Sequence, residues 1–450
     1  MDKVIKLKKG LDIHLQGEAE KKVVQAPEPE SFALKPPDFH KLIPKLSVHE
    51  GDEVKAGTPL FFDKYRPDIL FTSPVSGRVK TIFRGERRRI LEVIVTPDGR
   101  QERLPFRKGD PLGMKREEIV DNLLKSGVWP FIRQRPFDHV ADPKDTPKAV
   151  FISLFDTSPL APDYSLILKG EEKTFQTGVD ALSMLTAGKV HLGAHPDRSD
   201  EAFVSALKNV EVHYFKGPHP AGNVGVQIHH IDPVNKGEVV WVVNPQDVLI
   251  IGRLFEEGVY DPRRIVALAG SEVKEPQYYQ TMVGSSVVPL VSGNVKEGQL
   301  RYISGNVLTG TKIAKTGYLG FYDSLVSVIP EGNYAEFFGW LLPGFKKFSF
   351  SRTFFSWLTP NRKYRLDTNL HGGHRALVFS GLYEKVVPMD ILVMQLLKAM
   401  IIEDIDLMEN LGIYEVVEED LALCEFIDPS KTEIQSILRN AINVLIKELG

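Results

Sequence analysis

Residue types able to carry redox or metal chemistry are few in this sequence and widely separated. The single cysteine, Cys424, lies in DLALCEFIDPSK (420–431). An iron–sulfur run reads C-x2-C-x2-C-x3-C-P, because four thiolates close together in sequence wrap one cluster. Here that frame reads Glu418, Leu421, Cys424, Asp428, Pro429, and one thiolate holds no cluster. Cys424 is therefore read either as a buried small apolar side chain in a helix or as a reactive thiol. The loop GPHPAGNVG (217–225) carries Gly217, Gly222 and Gly225 after a strand-like run. Backbone amides of such a loop can cradle phosphate, but the spacing is neither G-x-G-x-x-G nor a P-loop, and a turn that requires glycine is the plainer reading. His229 and His230, with His219 and Asp232 nearby, are metal-binding types. Adjacent residues on a strand point to opposite faces, so the pair does not easily chelate one ion. WPFIRQRPF (129–137) interleaves Trp129, Phe131 and Phe137 with Arg133 and Arg135. Two readings stand: aromatics stacking on a flat ring with guanidiniums donating to its carbonyls, or a packed loop with surface arginines. A second aromatic run, NYAEFFGWLLPGFKKFSFSRTFF (333–355), is bordered by Lys346, Lys347 and Arg352; core packing, docking onto a membrane partner and lipid contact are its three readings. The chain offers no acid–base pair, nucleophile or metal cage, so neither catalytic residues nor a metal site is expected.

Composition sets the bounds. The 450 residues suffice for roughly three domains, and 42% hydrophobic with 26% charged residues is ordinary for a water-soluble globular protein. The longest apolar stretch, FFGWLLPGF (337–345), is far shorter than the ~20 residues of a membrane span. Charges follow Met1 where a secretory signal would be apolar. A single cysteine excludes a disulfide framework and suits a reducing compartment. A net charge of −3 leaves no electrostatic footprint for nucleic acid. The basic run FRGERRR (83–89) reads as a solvated hairpin tip, or as a partner or head-group contact.

Several elements must position these residues. GLDIHLQG (10–17) alternates Leu11, Ile13 and Leu15, the period of a half-buried strand. From 46 to 83, short apolar strands are separated by Gly51-Asp52, Gly57, Pro59, Pro74 and Gly77. G-D-x-V-x-x-G-x-x-L followed by S-P-V-S-G-x-V resembles the barrel-sandwich of biotinyl and lipoyl carriers. The tip that carries the modified lysine there reads Tyr65, Arg66, Pro67, beside Lys64, so a structural or docking role is expected in place of acylation. REEIVDNLLKSGVWPF predicts a helix ending at Gly127. KAVFISLF (148–155), KVHLGAH (189–195), VEVHYF (210–215), VVWVV (239–243) and RIVALAG (264–270) are short apolar runs, with helical patterns at 177–188, 199–208 and 245–258. Their alternation predicts a parallel sheet covered on both faces. Ligands in such folds sit at the carboxyl ends of strands, which directs attention to 155–163, 193–197 and 217–225. Residues 265–315 read as a small β-grasp-like module. PMDILVMQLLKAMIIEDIDLMENLG predicts a buried helix, and SKTEIQSILRNAINVLIKELG a helix opened by a Ser430/Glu433 capping box.

The order of these units, with the stretches IKLKKGLDIHLQG, RPFDHVADPKDTPKAVFISLFDTSPLAPD, GPHPAGNVGVQIHHIDPV, GYLGFYDSLVSVIPEG, FFGWLLPGFKKFSFSRT and EEDLALCEFIDPSK, resembles the A subunits of Na+-translocating NADH:quinone oxidoreductases along essentially the whole chain. More distantly, it resembles the C subunit of the Rnf complex and the flavin-binding subunit of complex I. The resemblance implies a multidomain α/β chain: a barrel-sandwich hybrid (1–105), a doubly wound Rossmann-like domain (106–262), an SLBB-like β-grasp module (263–330), an aromatic-rich connection (331–385) and a degenerate ferredoxin-like helical domain (386–450). It also implies a peripheral subunit on the cytoplasmic face of the bacterial inner membrane, within a six-subunit complex that oxidises NADH, reduces ubiquinone or menaquinone and exports Na+. NAD, FAD, FMN, riboflavin and the 2Fe–2S cluster would belong to the five partner subunits, chiefly membrane ones, and this chain would hold no cofactor. GVWPFIRQRPF stands where flavin-binding relatives have a glycine-rich loop, and its bulky rings would fill the phosphate space. Trp129, Phe131, Arg133, Arg135 and Phe137 are then the candidate quinone contacts. The alternatives are a lapsed biotinyl or lipoyl carrier and a flavin-dependent NADH dehydrogenase subunit.

Overall fold

The computed structural model describes residues 4–334, 336–339, 341–378 and 380–448. At its centre the β-branched runs form a mostly parallel sheet. Strands Val210–Lys216, Lys189–Ala194, Ala149–Ser153 and Val240–Val242 lie side by side in that order, all parallel. Arg133–Arg135 and His139–Val140 extend the far edge antiparallel. Every second residue faces a different layer of helix, so both faces are apolar. Val150, Ile152, Val190 and Leu192 share a core with Phe175, Val179 and Leu182 of helix Glu172–Ser183 and Val248, Ile251 and Leu254 of helix Pro245–Glu257. Ala149, Phe151, Val240 and Val242 pack on Val224 and Ile228 of helix Val224–Ile231. The doubly wound expectation is met, and helix Arg116–Ser126 ends at Gly127 with φ 72°, a left-handed stop.

RIVALAG differs from its expected companions. Its strand, Arg263–Ala269, lies in a second sheet of order Thr311–Ile313, Leu300–Ser304, Leu325–Pro330, Arg263–Ala269, Gln277–Met282, Glu20–Gln25. This module encloses its own core of Val266, Leu268, Tyr279, Leu290, Val326 and Val328. The barrel-sandwich consists of a four-stranded and a three-stranded sheet between residues 32 and 97, closed on Leu34, Val54, Phe61, Phe71, Val79 and Val93. A Cβ at Gly77 would lie 2.0 Å from the Thr96 carbonyl oxygen, so the strand pair can close only on glycine there. The basic run 83–89 is the exposed tip between strands Gly77–Arg84 and Ile90–Pro97.

Residues 4–25 strap the other units together. Ile5–Lys6 joins the edge of the parallel sheet, and Glu20–Gln25 the edge of the second sheet. Between them GLDIHLQG is not a strand. Its amides and carbonyls pair with Lys385, His219 and Tyr364, which belong to three separate segments. Ile13 and Leu15 nevertheless enter the core of the C-terminal region. The alternation reported a one-sided extended chain correctly, but no single neighbouring strand serves it.

The C-terminal region is helical, and its core is continuous with Phe155, Phe215 and Val226 of the α/β domain and with Ala267 and Leu325 of the second sheet. The long apolar run forms two helices, Val393–Ile401 and Ile405–Asn410, because Glu403 adopts φ 55° and the Asp404 side chain caps the second by accepting from the Leu407 amide. Helices Glu418–Ile427 and Ile434–Glu448 follow. The expected Ser430/Glu433 box does not form: Asp428 accepts from the amides of Ser430 and Thr432, while the Ser430 hydroxyl donates to the Ala376 carbonyl. Residues 331–385 contain short 3-10 turns and, among the described residues, no α-helix or strand. No helix among the described residues is long and apolar enough to cross a membrane.

Candidate functional site at the strand ends

At the carboxyl ends of the parallel strands the chain leaves a crevice of about 110 Å³, lined among others by Arg133, Asp156, His219, Asn223, Asn244 and Glu419. Ligand sites for drug-sized molecules run to roughly 300–1,000 Å³, so this space is small for a whole flavin. Two of the three expected loops reach it, through 155–158 and 219–224. The third, 193–197, folds into a local turn held by His195 and Ser199.

The glycines of GPHPAGNVG serve close packing. A Cβ at Gly217 would lie 2.7 Å from the Leu7 carbonyl oxygen, and one at Gly222 2.7 Å from the Thr157 amide nitrogen. At Gly225, in the first turn of helix Val224–Ile231, it would lie 2.4 Å from Asp420 Oδ1 and 2.5 Å from Arg135 Nη1. A carboxylate of the chain itself thus occupies the approach to the helix N-terminus, the place where such folds receive anions.

Arg135 is buried, and its guanidinium donates to Asp420 at 2.7 Å and to Glu419 at 2.5 Å. Burial pushes the Glu419 carboxyl upward, with Arg135 opposing and the Asp420 charge adding to the rise. Arg133 donates to both oxygens of Asp138 at 3.1 and 3.2 Å and to Asn244 at 3.3 Å, and lies 5.1 Å from the Tyr322 ring centroid. Burial alone would raise the Asp138 carboxyl, but Arg133, His40 and Arg135 together hold it down at about 2. Trp129 and Phe131 have no exposed surface: Trp129 donates to the Ala141 carbonyl at 2.8 Å and meets Trp241 edge-on, while Phe131 stacks on Phe321. Phe137, half-buried at φ 82°, sits 5.8 Å from the Tyr414 ring. Of the five candidate quinone contacts, only Arg133 lines the crevice. The expected surface arginines turn inward, because their carboxylate partners arrive from the local turn at Asp138 and from helix Glu418–Ile427.

His229 and His230 stand on a helix, where the expectation was a strand. His229 Nδ1 donates to Glu415 at 2.7 Å while its Nε2 accepts from the Asp390 amide; His230 bonds the Pro388 carbonyl at 2.9 Å. Both pin the α/β domain to the C-terminal region, as do Lys236 with Glu409 and Asn223 with the Glu419 carbonyl. His219 is buried beside Thr157, and burial lowers its pKa to about 4. Cys424 is fully buried in helix Glu418–Ile427, where burial pushes its thiol upward; a reactive thiolate is disfavoured there. On the barrel-sandwich, Arg66 binds Asp63 and reaches the Val140 carbonyl at 3.0 Å, so this hairpin tip docks on the central sheet. Sequence reading missed this latch and the inter-domain ion pairs, since their partners lie far along the chain.

The aromatic run contributes an exposed surface. Phe337 is 86% and Leu341 68% exposed, joined by Leu342, Phe345, Phe355, Trp357 and Leu358. Core packing of these side chains, one of three readings of the run, is set aside; Phe348 and Phe350 of the same run do pack against the C-terminal core.

Family models match residues 5–98 as an NqrA N-terminal barrel-sandwich hybrid domain, 114–260 as an NqrA second alpha/beta domain and 265–315 as an NQRA C-terminal domain. The A subunit of the Na(+)-translocating NADH-quinone reductase of Yersinia pestis bv. Antiqua (strain Angola) is 41% identical over 99% of this chain and 100% of its own. Relatives of the same name from Rhodopirellula baltica and Neisseria meningitidis serogroup B are 40% and 39% identical over 99% of this chain, covering 98% and 100% of theirs. Among solved structures, the NAD+-reducing [NiFe]-hydrogenase in the air-oxidized state aligns with 49% of this chain and 45% of its own at 14% identity and a TM-score of 0.33, too slight a likeness to carry an argument.

Proposed function

The chain belongs to the family of A subunits of Na+-translocating NADH-quinone reductases, and on that premise we propose that it is a peripheral docking subunit without a redox cofactor of its own. The complex it joins pumps Na+ while NADH reduces quinone. In this reading the chain lies on the cytoplasmic face of the bacterial inner membrane, against the membrane members of a six-subunit assembly. Partner subunits carry NAD, FAD, FMN, riboflavin and the 2Fe–2S cluster, and ubiquinone or menaquinone is the electron acceptor.

One observation carries the reading: at the crevice where a doubly wound sheet receives a nucleotide, the protein's own groups take up the phosphate approach. Gly225 abuts the Asp420–Arg135 ion pair and Gly222 abuts the Thr157 amide. A flavin phosphate would have to displace a buried, paired carboxylate, at a cost of several kcal/mol. Of the five candidate contacts Arg133 is the one that lines the crevice, where it is a donor a quinone carbonyl could meet, and the exposed aromatic surface around Phe337 and Trp357 is the docking face. A flavin-dependent NADH dehydrogenase subunit would instead need that crevice open.

The test is recovery of the affinity-tagged chain from detergent-solubilised membranes of its own host. Co-elution with integral membrane proteins and Na+-dependent NADH:quinone reductase activity is the expected result. A chain that elutes alone, leaving that activity in other fractions, would contradict the assignment.

A further inference from the structure

Away from the crevice, the parallel sheet carries a second group of polar side chains. His191 pairs in register with Glu211, and Gly193 with His213. Residues opposed across a ladder share a face, and so do residues two apart. The three side chains therefore stand together on the face that Phe151 begins, in the direction of the sheet edge: Phe151 is the register partner of His191 on the other side and stacks on its ring at 4.9 Å. Among the described residues, strand Ile5–Lys6 pairs with Phe215 and Lys216, beyond the stretch 211–213.

We propose that His191, Glu211 and His213 form a binding site for one divalent transition-metal ion of the zinc class. One ligand atom from each lies within 4.8 Å of the others. His191 Nδ1 and His213 Nε2 are 3.0 Å apart. Two imidazole nitrogens bound tetrahedrally at zinc's usual bond lengths lie about 3.3 Å apart, so the pair opens by only a few tenths of an ångström to admit the ion. Two imidazoles and one carboxylate with a fourth position for water is an ordinary zinc donor set. Glu211 is held at 2.7 Å by Lys189, whose side chain is 69% exposed. An exposed ion pair of this kind is weak, and the carboxylate can exchange it for the metal. The ion would bridge two neighbouring strands and stabilise the folded chain by mass action.

The test uses the untagged full chain, stripped with chelator and titrated with ZnCl2 by calorimetry, with thermal melting in parallel. The expected result is one equivalent bound and a raised melting temperature. His213→Gln and Glu211→Gln, both at half-buried positions that leave the Phe151–His191 stack intact, should weaken binding by at least about tenfold. Lys189→Ala should bind as tightly as the wild type or more tightly. Absence of zinc uptake by the wild-type chain, or unchanged isotherms in both His213→Gln and Glu211→Gln, would overturn the site.

Discussion

At the scale of single residues, Arg135 anchors the seam between the α/β domain and the C-terminal helices. Its guanidinium is buried against two carboxylates of helix Glu418–Ile427. Removing it by Arg135→Ala leaves Asp420 buried without its cation, a change that costs roughly 3–5 kcal/mol, and the urea midpoint should fall accordingly. A midpoint within experimental error of wild type would show that the pair carries no stability. His219 gives a pH-dependent prediction. Its folded pKa, about 4, lies below the ordinary 6.5, so between those values the unfolded chain binds the extra proton and stability falls as pH falls. Relative to His219→Asn, the wild type should lose about 2 kcal/mol between pH 7 and pH 5; the comparison is needed because Asp38 and Asp247, both raised to about 6 by burial, act in the opposite direction. The sequence disclosed the residue types of WPFIRQRPF but not their direction. Whether an arginine faces solvent depends on where its carboxylate comes from, and for Arg135 it comes from 285 positions later.

Among secondary-structure elements, periodicity was a dependable guide wherever a strand or helix faces a continuous apolar layer. The four central strands and helices Arg116–Ser126 and Pro245–Glu257 fall where the pattern predicts. It misled where backbone partners are scattered, as at GLDIHLQG, and where a local polar group overrides a run of apolar residues, as Asp404 does between two helices. Asp404→Ala should cost about 1 kcal/mol through the lost cap. The glycines of GPHPAGNVG were expected to serve a turn; none adopts a left-handed conformation, and close approach to Leu7, Thr157 and the Asp420–Arg135 pair is what requires them. Gly225→Ala places a methyl carbon on the Arg135–Asp420 pair, and overpacking of this kind costs typically 1–3 kcal/mol. A melting temperature equal to the wild type's would mean that the seam yields freely.

At the scale of the molecule, the four sheets of the described residues and a helical region are tied by the N-terminal strap and by long-range ion pairs. Deleting residues 4–25 removes an edge strand from two sheets and should abolish a single cooperative unfolding transition. The multidomain class was legible from the succession of units; the sharing of residues 4–25 among them was not, because pairing at sheet edges leaves little trace in composition. The exposed surface of Phe337, Leu341 and Trp357 belongs to this scale as well. Replacing the three by serine should leave the isolated chain folded, since none is buried, while preventing its incorporation into the complex. We propose that the fold keeps the shape of a nucleotide-binding domain while the chain's own side chains take up the phosphate approach. Flavin released by acid and iron measured on the untagged chain, separated from the intact complex, test it most directly. The prediction is less than a tenth of an equivalent, by order of magnitude, of either; one flavin or one iron–sulfur centre per chain would contradict it.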